Sequence, residues 1–156
     1  MNFESFEDIK VLMDNFDPAA LLPDLSSLGG MVELVTRIAV LAGPLVLLIM
    51  GLAYLITPAK EANYHYGYRC YFGMGSVQAW RFTQRLAGLL WSGLGLGLTV
   101  VMFLVSTGFG RKDIVEIISS GVTCLIWEAA LIAVSCLAIN ILVMIRYDRR
   151  GDRRME

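Results

Sequence analysis

The sequence predicts an all-α integral membrane protein with three transmembrane helices, and three observations carry that expectation. The chain of 156 residues is 56% apolar, with a mean hydropathy of +0.62, which is high for a soluble domain of this size. Charge is present at 17% but segregated: Ile38 to Ile56 and Leu86 to Phe109 carry none, and Ser119 to Ile145 is interrupted only by Glu128. A hydrocarbon core about 30 Å thick is crossed by a helix of about 20 apolar residues. Each run is also apolar all round, which leaves no polar face for water and argues against a soluble bundle.

Residues 1–30 form an acidic leader and linker in which Lys10 is the single base. Phe3, Phe6, Ile9, Leu12 and Phe16 recur at spacings of three and four, so an amphipathic helix is expected there. Its place is on the membrane surface or against a partner, and its acidity argues against holding anionic lipid by charge. No secretory signal is expected, because the first apolar run is too long for an h-region and follows an acidic segment. The stretch "DPAALLPDLSSLGG" reads as a linker.

The membrane domain is expected over residues 31–145, with spans at about 31–56, 86–106 and 121–145. Pro44 interrupts the first span and predicts a kink. The second helix is expected to start at the N-cap Ser76 and to run over residues 77–106, roughly 45 Å. That exceeds the hydrocarbon thickness, so its first turns, with Trp80, Arg81 and Arg85, are assigned to the headgroup layer. The third span follows the short connection "GFGRKDIVEI", and residues 146–156 read as a solvated basic tail.

Lysine and arginine counts set the orientation. Lys60, Arg69, Arg81, Arg85, Arg146, Arg149, Arg150, Arg153 and Arg154 fall on one side, nine of the 13. Lys10, Arg37, Arg111 and Lys112 fall on the other. The nine-base side is expected to be cytoplasmic, which puts the N-terminus outside and the C-terminus inside.

Within the spans, Arg37 and Glu128 lie at similar depth and are expected to form an intramembrane ion pair, with Glu33 competing for Arg37 at i, i+4. Gly88 with Ser92, and Gly93 with Gly97, have the small-xxx-small spacing that brings helix backbones together, within the monomer or between chains. "GLGLG" lies inside an apolar span with no strand before it, so a nucleotide loop is excluded. Cys70, Cys124 and Cys136 are expected as free thiols. His65 has only Cys70 near it, which does not make a metal site. No cofactor, no metal and no nucleic-acid partner is expected. No nucleophile stands with a base and no carboxylates pair, so an enzyme is not expected either.

The connection at residues 57–85 is the unusual segment. "NYHYGYRCYFGMGSVQAWRFTQRLAG" gathers four of the chain's 6 tyrosines with arginines and glycines. Its order, Asn63, Gly67, Arg69, Ser76, Trp80, Arg85 and Gly88, resembles the signature of the SdpI family of bacterial membrane proteins, approximately N-x-x-x-G-x-R-[ST] followed after about ten residues by a tryptophan and an arginine- or histidine-containing step into a span. Cys70 stands where the family has a hydroxyl residue, and the chain has fewer spans than the family's immunity protein. The resemblance implies a multi-pass protein of the bacterial cytoplasmic membrane, with immunity or signalling through a bound peptide toxin or regulatory partner. The residues themselves allow an interfacial aromatic collar or a binding surface, with Asn63, Gly67, Arg69, Ser76, Trp80 and Arg85 as its members. The alternative function is an accessory subunit packed among other membrane subunits.

Overall fold

The computed structural model describes residues 25–58 and 66–154. The leader's amphipathic stretch, Asn63 and His65 lie outside the described residues. The described residues form three long helices, α1 (Leu25–Ile56), α2 (Val77–Thr107) and α3 (Ile114–Arg146), with a 3₁₀ turn at Phe109–Arg111 between the last two. All three are long and apolar enough to cross a membrane. Successive helices run antiparallel, so the bundle has a leader end, where α1 begins and the 3₁₀ turn sits, and a tail end, where α3 finishes.

The boundaries correct the sequence reading in two places. α1 begins at Leu25 and runs through Gly29 and Gly30, so the last part of the expected linker is helical. Pro44 lies inside this helix. α3 begins at Ile114, directly after Asp113, so the "IVEI" part of the expected loop is its first turn. Charged Asp113 and Glu116 at a helix start suit the positive end of the helix dipole, which explains why the helix begins before the apolar run does. α2 begins as expected, with Ser76 Oγ accepting from the Ala79 N–H at 3.2 Å.

α1 packs most closely on α2, and small residues make this possible. A Cβ on Gly51 would collide with the backbone of Ser92, and one on Gly95 with the backbone of Leu48. Gly88 lies against Leu55. Gly88 and Ser92 therefore serve the contact inside the monomer. Gly93 and Gly97 point elsewhere, where an added Cβ would meet nothing within 4 Å. Lipid tails are as apolar as leucine, so close backbone packing rather than water exclusion must hold such helices together. Two buried clusters result, one at the tail end around Tyr54, Ala87, Ile139, Val143 and Tyr147, the other at the leader end around Val40, Leu98, Met102, Phe109 and Ile117.

The expected ion pair does not form. The Arg37 guanidinium bonds Glu33 Oε1 at 2.6 Å, one turn away on the same helix. Glu128 is 3% exposed, its carboxylate lies against Gly43, where a Cβ would come within 2.8 Å of Oε2, and Oε1 has no hydrogen-bond partner. Local geometry decides this, because an i, i+4 partner is already within reach when the helix forms.

Candidate functional site

The tail end of the bundle is closed by the segment between α1 and α2. Its key residue is Gly67, at φ +112°. A Cβ here would sit 2.8 Å from both Trp80 Cζ2 and Gln84 Oε1. Both the backbone angle and the space require glycine. The next residue is clamped at two points: Gln84 Oε1 accepts from the Tyr68 N–H at 2.9 Å, and Gln84 Nε2 donates to the Tyr68 carbonyl at 2.8 Å. Gln84 and Trp80 are both fully buried. A primary amide matches an extended peptide unit, donor to acceptor and acceptor to donor, so the loop's polar backbone enters an apolar environment without leaving a group unsatisfied.

The aromatics follow from that placement. Tyr66 packs edge-on to Tyr54 of α1 with ring centroids 5.5 Å apart. Tyr68 packs edge-on to Trp91 of α2 at 5.3 Å, and Tyr54 and Trp91 meet at 5.7 Å. The Tyr68 hydroxyl donates to the Cys136 carbonyl of α3 at 3.2 Å. Trp91 Nε1 donates to Ser135 Oγ, also 3.2 Å away. One short loop thus touches all three helices. The loop and the start of α2 together form a plug: Trp80 is buried beneath Gly67, and Tyr66, Tyr68 and Phe72 pack on the core. Tyr71 is the exception, at 72% exposed.

Cys70 is buried, with Sγ 4.0 Å from Thr83 Oγ1. Thr83 itself donates back to the Ala79 carbonyl at 2.8 Å. Burial pushes the Cys70 thiol above its ordinary range, partly offset by the Gly73 backbone and Thr83. Burial is also the main reason the Tyr68 phenol is pushed up to about 12, with Cys136 adding to it. Both groups therefore remain neutral across the physiological range, as packed side chains do, and neither is a poised nucleophile.

What the plug leaves exposed is Arg69. It stands over a groove of about 440 Å³ whose other walls are Cys70, Tyr71 and Phe72 on the loop and Asn140, Ile141 and Met144 on α3. The arrangement offers one planar cation, one exposed phenol, one amide and an apolar floor. Arg85 is exposed on α2 and does not line this groove. Ser76 has a second bond beyond its cap, donating to the Gly151 carbonyl at 2.7 Å. Gln84 and Thr83 were not singled out from the sequence. Their signal was present in the spacing, since Trp80, Gln84 and Gly88 fall on one helical face, with Ala79, Thr83 and Ala87 beside it. Among the described residues no three His, Cys, Asp or Glu side chains gather as a metal site would require.

Comparison with curated proteins and with solved structures gave no match. The family model of the SdpI/YfhL protein family matches residues 60–145. That segment contains the whole plug, α2 and almost all of α3. With more than half of the sequence matched, from the glycine turn to the helix that receives it, the chain belongs to the SdpI/YfhL protein family.

Proposed function

We propose that this membrane protein acts by binding rather than by catalysis, giving immunity or signalling through capture of a peptide or a regulatory protein at the Arg69 groove. The observation that supports this reading most is the contrast within one loop. Gly67, Tyr68 and Trp80 are fixed by packing and by the Gln84 clamp, while Arg69 and Tyr71 beside them are exposed. Rigid backbone under an exposed arginine and tyrosine is the arrangement that recognition favours, because the loop itself need not be ordered on binding. The arginine fork selects a carboxylate or phosphate, and Ile141, Met144 and Phe72 accept an apolar side chain next to it. The groove faces the cytoplasm in this reading, following the nine-base side.

A photo-crosslinking amino acid at position 71 tests it in cells carrying the cognate toxin or regulator. A crosslinked product is expected at 71, not at the lipid-facing position 104, and Arg69→Ala should abolish it. Equal products at 71 and 104, or a product indifferent to Arg69→Ala, would remove the binding reading. A second reading, a subunit of a larger membrane assembly, is favoured by one observation: Gly93 and Gly97 present a small-residue face that no other part of the described monomer covers.

A further inference from the structure

The C-terminal segment keeps its arginines exposed, as a solvated basic tail would, but it is folded. Beyond Arg146 the chain turns back as a tight hairpin. Tyr147 pairs with Arg153 in an antiparallel bridge, the Arg154 N–H donates to the Arg146 carbonyl at 3.0 Å, and the Asp148 N–H donates to the Asp152 carbonyl at 2.9 Å. The Asp148 carboxylate braces the turn by accepting from the N–H groups of Arg150 and Asp152 at 2.8 and 2.9 Å. Gly151 sits at φ +80°, against the backbone of Gly75 and Ser76, and its carbonyl takes the Ser76 hydroxyl. Tyr147 is buried at 2% exposure, with its ring 5.6 Å from that of Phe82. The hairpin is thereby pinned to the start of α2.

The consequence is that Arg153 and Arg154 return to the level of Arg146. The three arginines line a groove of about 610 Å³, whose remaining walls are Phe82 and Leu86 of α2 and Leu142 and Ile145 of α3. The Arg146 guanidinium lies over the Phe82 ring at 4.6 Å, which restricts where it can point. Among the described residues, no carboxylate lines the groove. Leu142 and Ile145 are exposed on the span surface, so the apolar half of the groove faces acyl chains. Arg146 is the first charge after the apolar run, so the basic half lies where phosphates of the adjacent leaflet lie.

We propose that this groove is a binding site for an anionic phospholipid, with its phosphate held by Arg146, Arg153 and Arg154 and an acyl chain along Leu142, Ile145 and Leu86. Arginine forks match phosphate oxygens in pairs. A basic pocket between membrane helices suits a charged headgroup, whereas a loose basic tail attracts any negative surface. The site is separate from the Arg69 groove, which shares none of its lining residues.

Native mass spectrometry of the full chain, released from neutral detergent with added phosphatidylglycerol or phosphatidylcholine, tests this. Phosphatidylglycerol should remain bound and phosphatidylcholine should not. Arg153→Gln with Arg154→Gln should weaken binding roughly tenfold or more. Arg149→Gln with Arg150→Gln removes the same charge outside the groove and should leave binding unchanged. Leu142→Trp, which fills the apolar half without touching the hairpin, should also weaken it. Equal losses from the two arginine pairs, or no loss from Leu142→Trp, would overturn the site. Displacement by millimolar inorganic phosphate would assign the arginines to a free anion and overturn the lipid.

Discussion

At the scale of single residues, the clamp between Gln84 and Tyr68 ties the family signature to the bundle. Both ends of one side-chain amide are used, in a fully buried position. Gln84→Leu would leave a backbone N–H and carbonyl unsatisfied at the tail end, at a cost of about 1–3 kcal/mol each. The expected outcome is a clear fall in thermal stability in detergent, with Gln84→Glu partly retained because it keeps the acceptor. A Gln84→Leu protein as stable as the parent would show that the loop is held by its aromatics alone. Cys70 gives a pH prediction from the same packing. Its thiol is pushed up by burial, so the folded protein holds that proton more tightly than the unfolded chain does. Thiolate is correspondingly scarce below the raised value, and folding stability falls as pH climbs past the ordinary thiol range, about 8.5. With Cys124 and Cys136 changed to serine, maleimide labelling at pH 8 should be slow in the folded protein and fast after denaturation. Fast labelling of the folded form would contradict the buried placement.

Among the elements, the start of α2 and the Gly88–Ser92 spacing were the parts most legible in the sequence. Ser76 reads as a cap because a hydroxyl there satisfies a free N–H, and it does so. A glycine at position 67 permits a positive φ, but only the structure shows that Trp80 and Gln84 fill the space where a side chain would be. What the sequence could not carry was partner choice. Glu33, Arg37 and Glu128 offer two pairings of similar merit on paper, and the partner one turn away on the same helix takes the arginine. Trp80 was assigned to the interface for the same reason, since tryptophan is common there and its burial depends on a loop folding over it. The hairpin in the tail was not legible because a turn of polar residues has no periodicity to betray it. Helix rotation divides the glycines. Gly95→Leu should disrupt the α1–α2 contact and sharply reduce folded protein, because its Cβ meets the Leu48 backbone. Gly97→Leu should fold normally, since its Cβ meets nothing. Size-exclusion chromatography in mild detergent would compare them. Normal folding of Gly95→Leu would contradict the packing described.

For the whole molecule, three spans put the tail end and the leader end on opposite sides of the bilayer. Basic residues are concentrated at the tail end, and the positive-inside tendency predicts that this end is cytoplasmic. In a cysteine-free background, Asp113→Cys should react with an impermeant reagent in intact cells, and Arg149→Cys only after permeabilisation. The reverse pattern would move both grooves to the outer face. The central claim, that the packed loop exists to hold Arg69 for recognition, rests on geometry that an arginine can use and a lysine cannot. Lysine keeps the charge but loses the planar fork. The most direct measurement is therefore the protection or partner capture given by Arg69→Lys, read beside its level in the membrane. The account predicts a normal level with function reduced about tenfold or more. Wild-type function from Arg69→Lys at a normal level would contradict it, leaving the loop a structural plug and Arg69 a topological anchor.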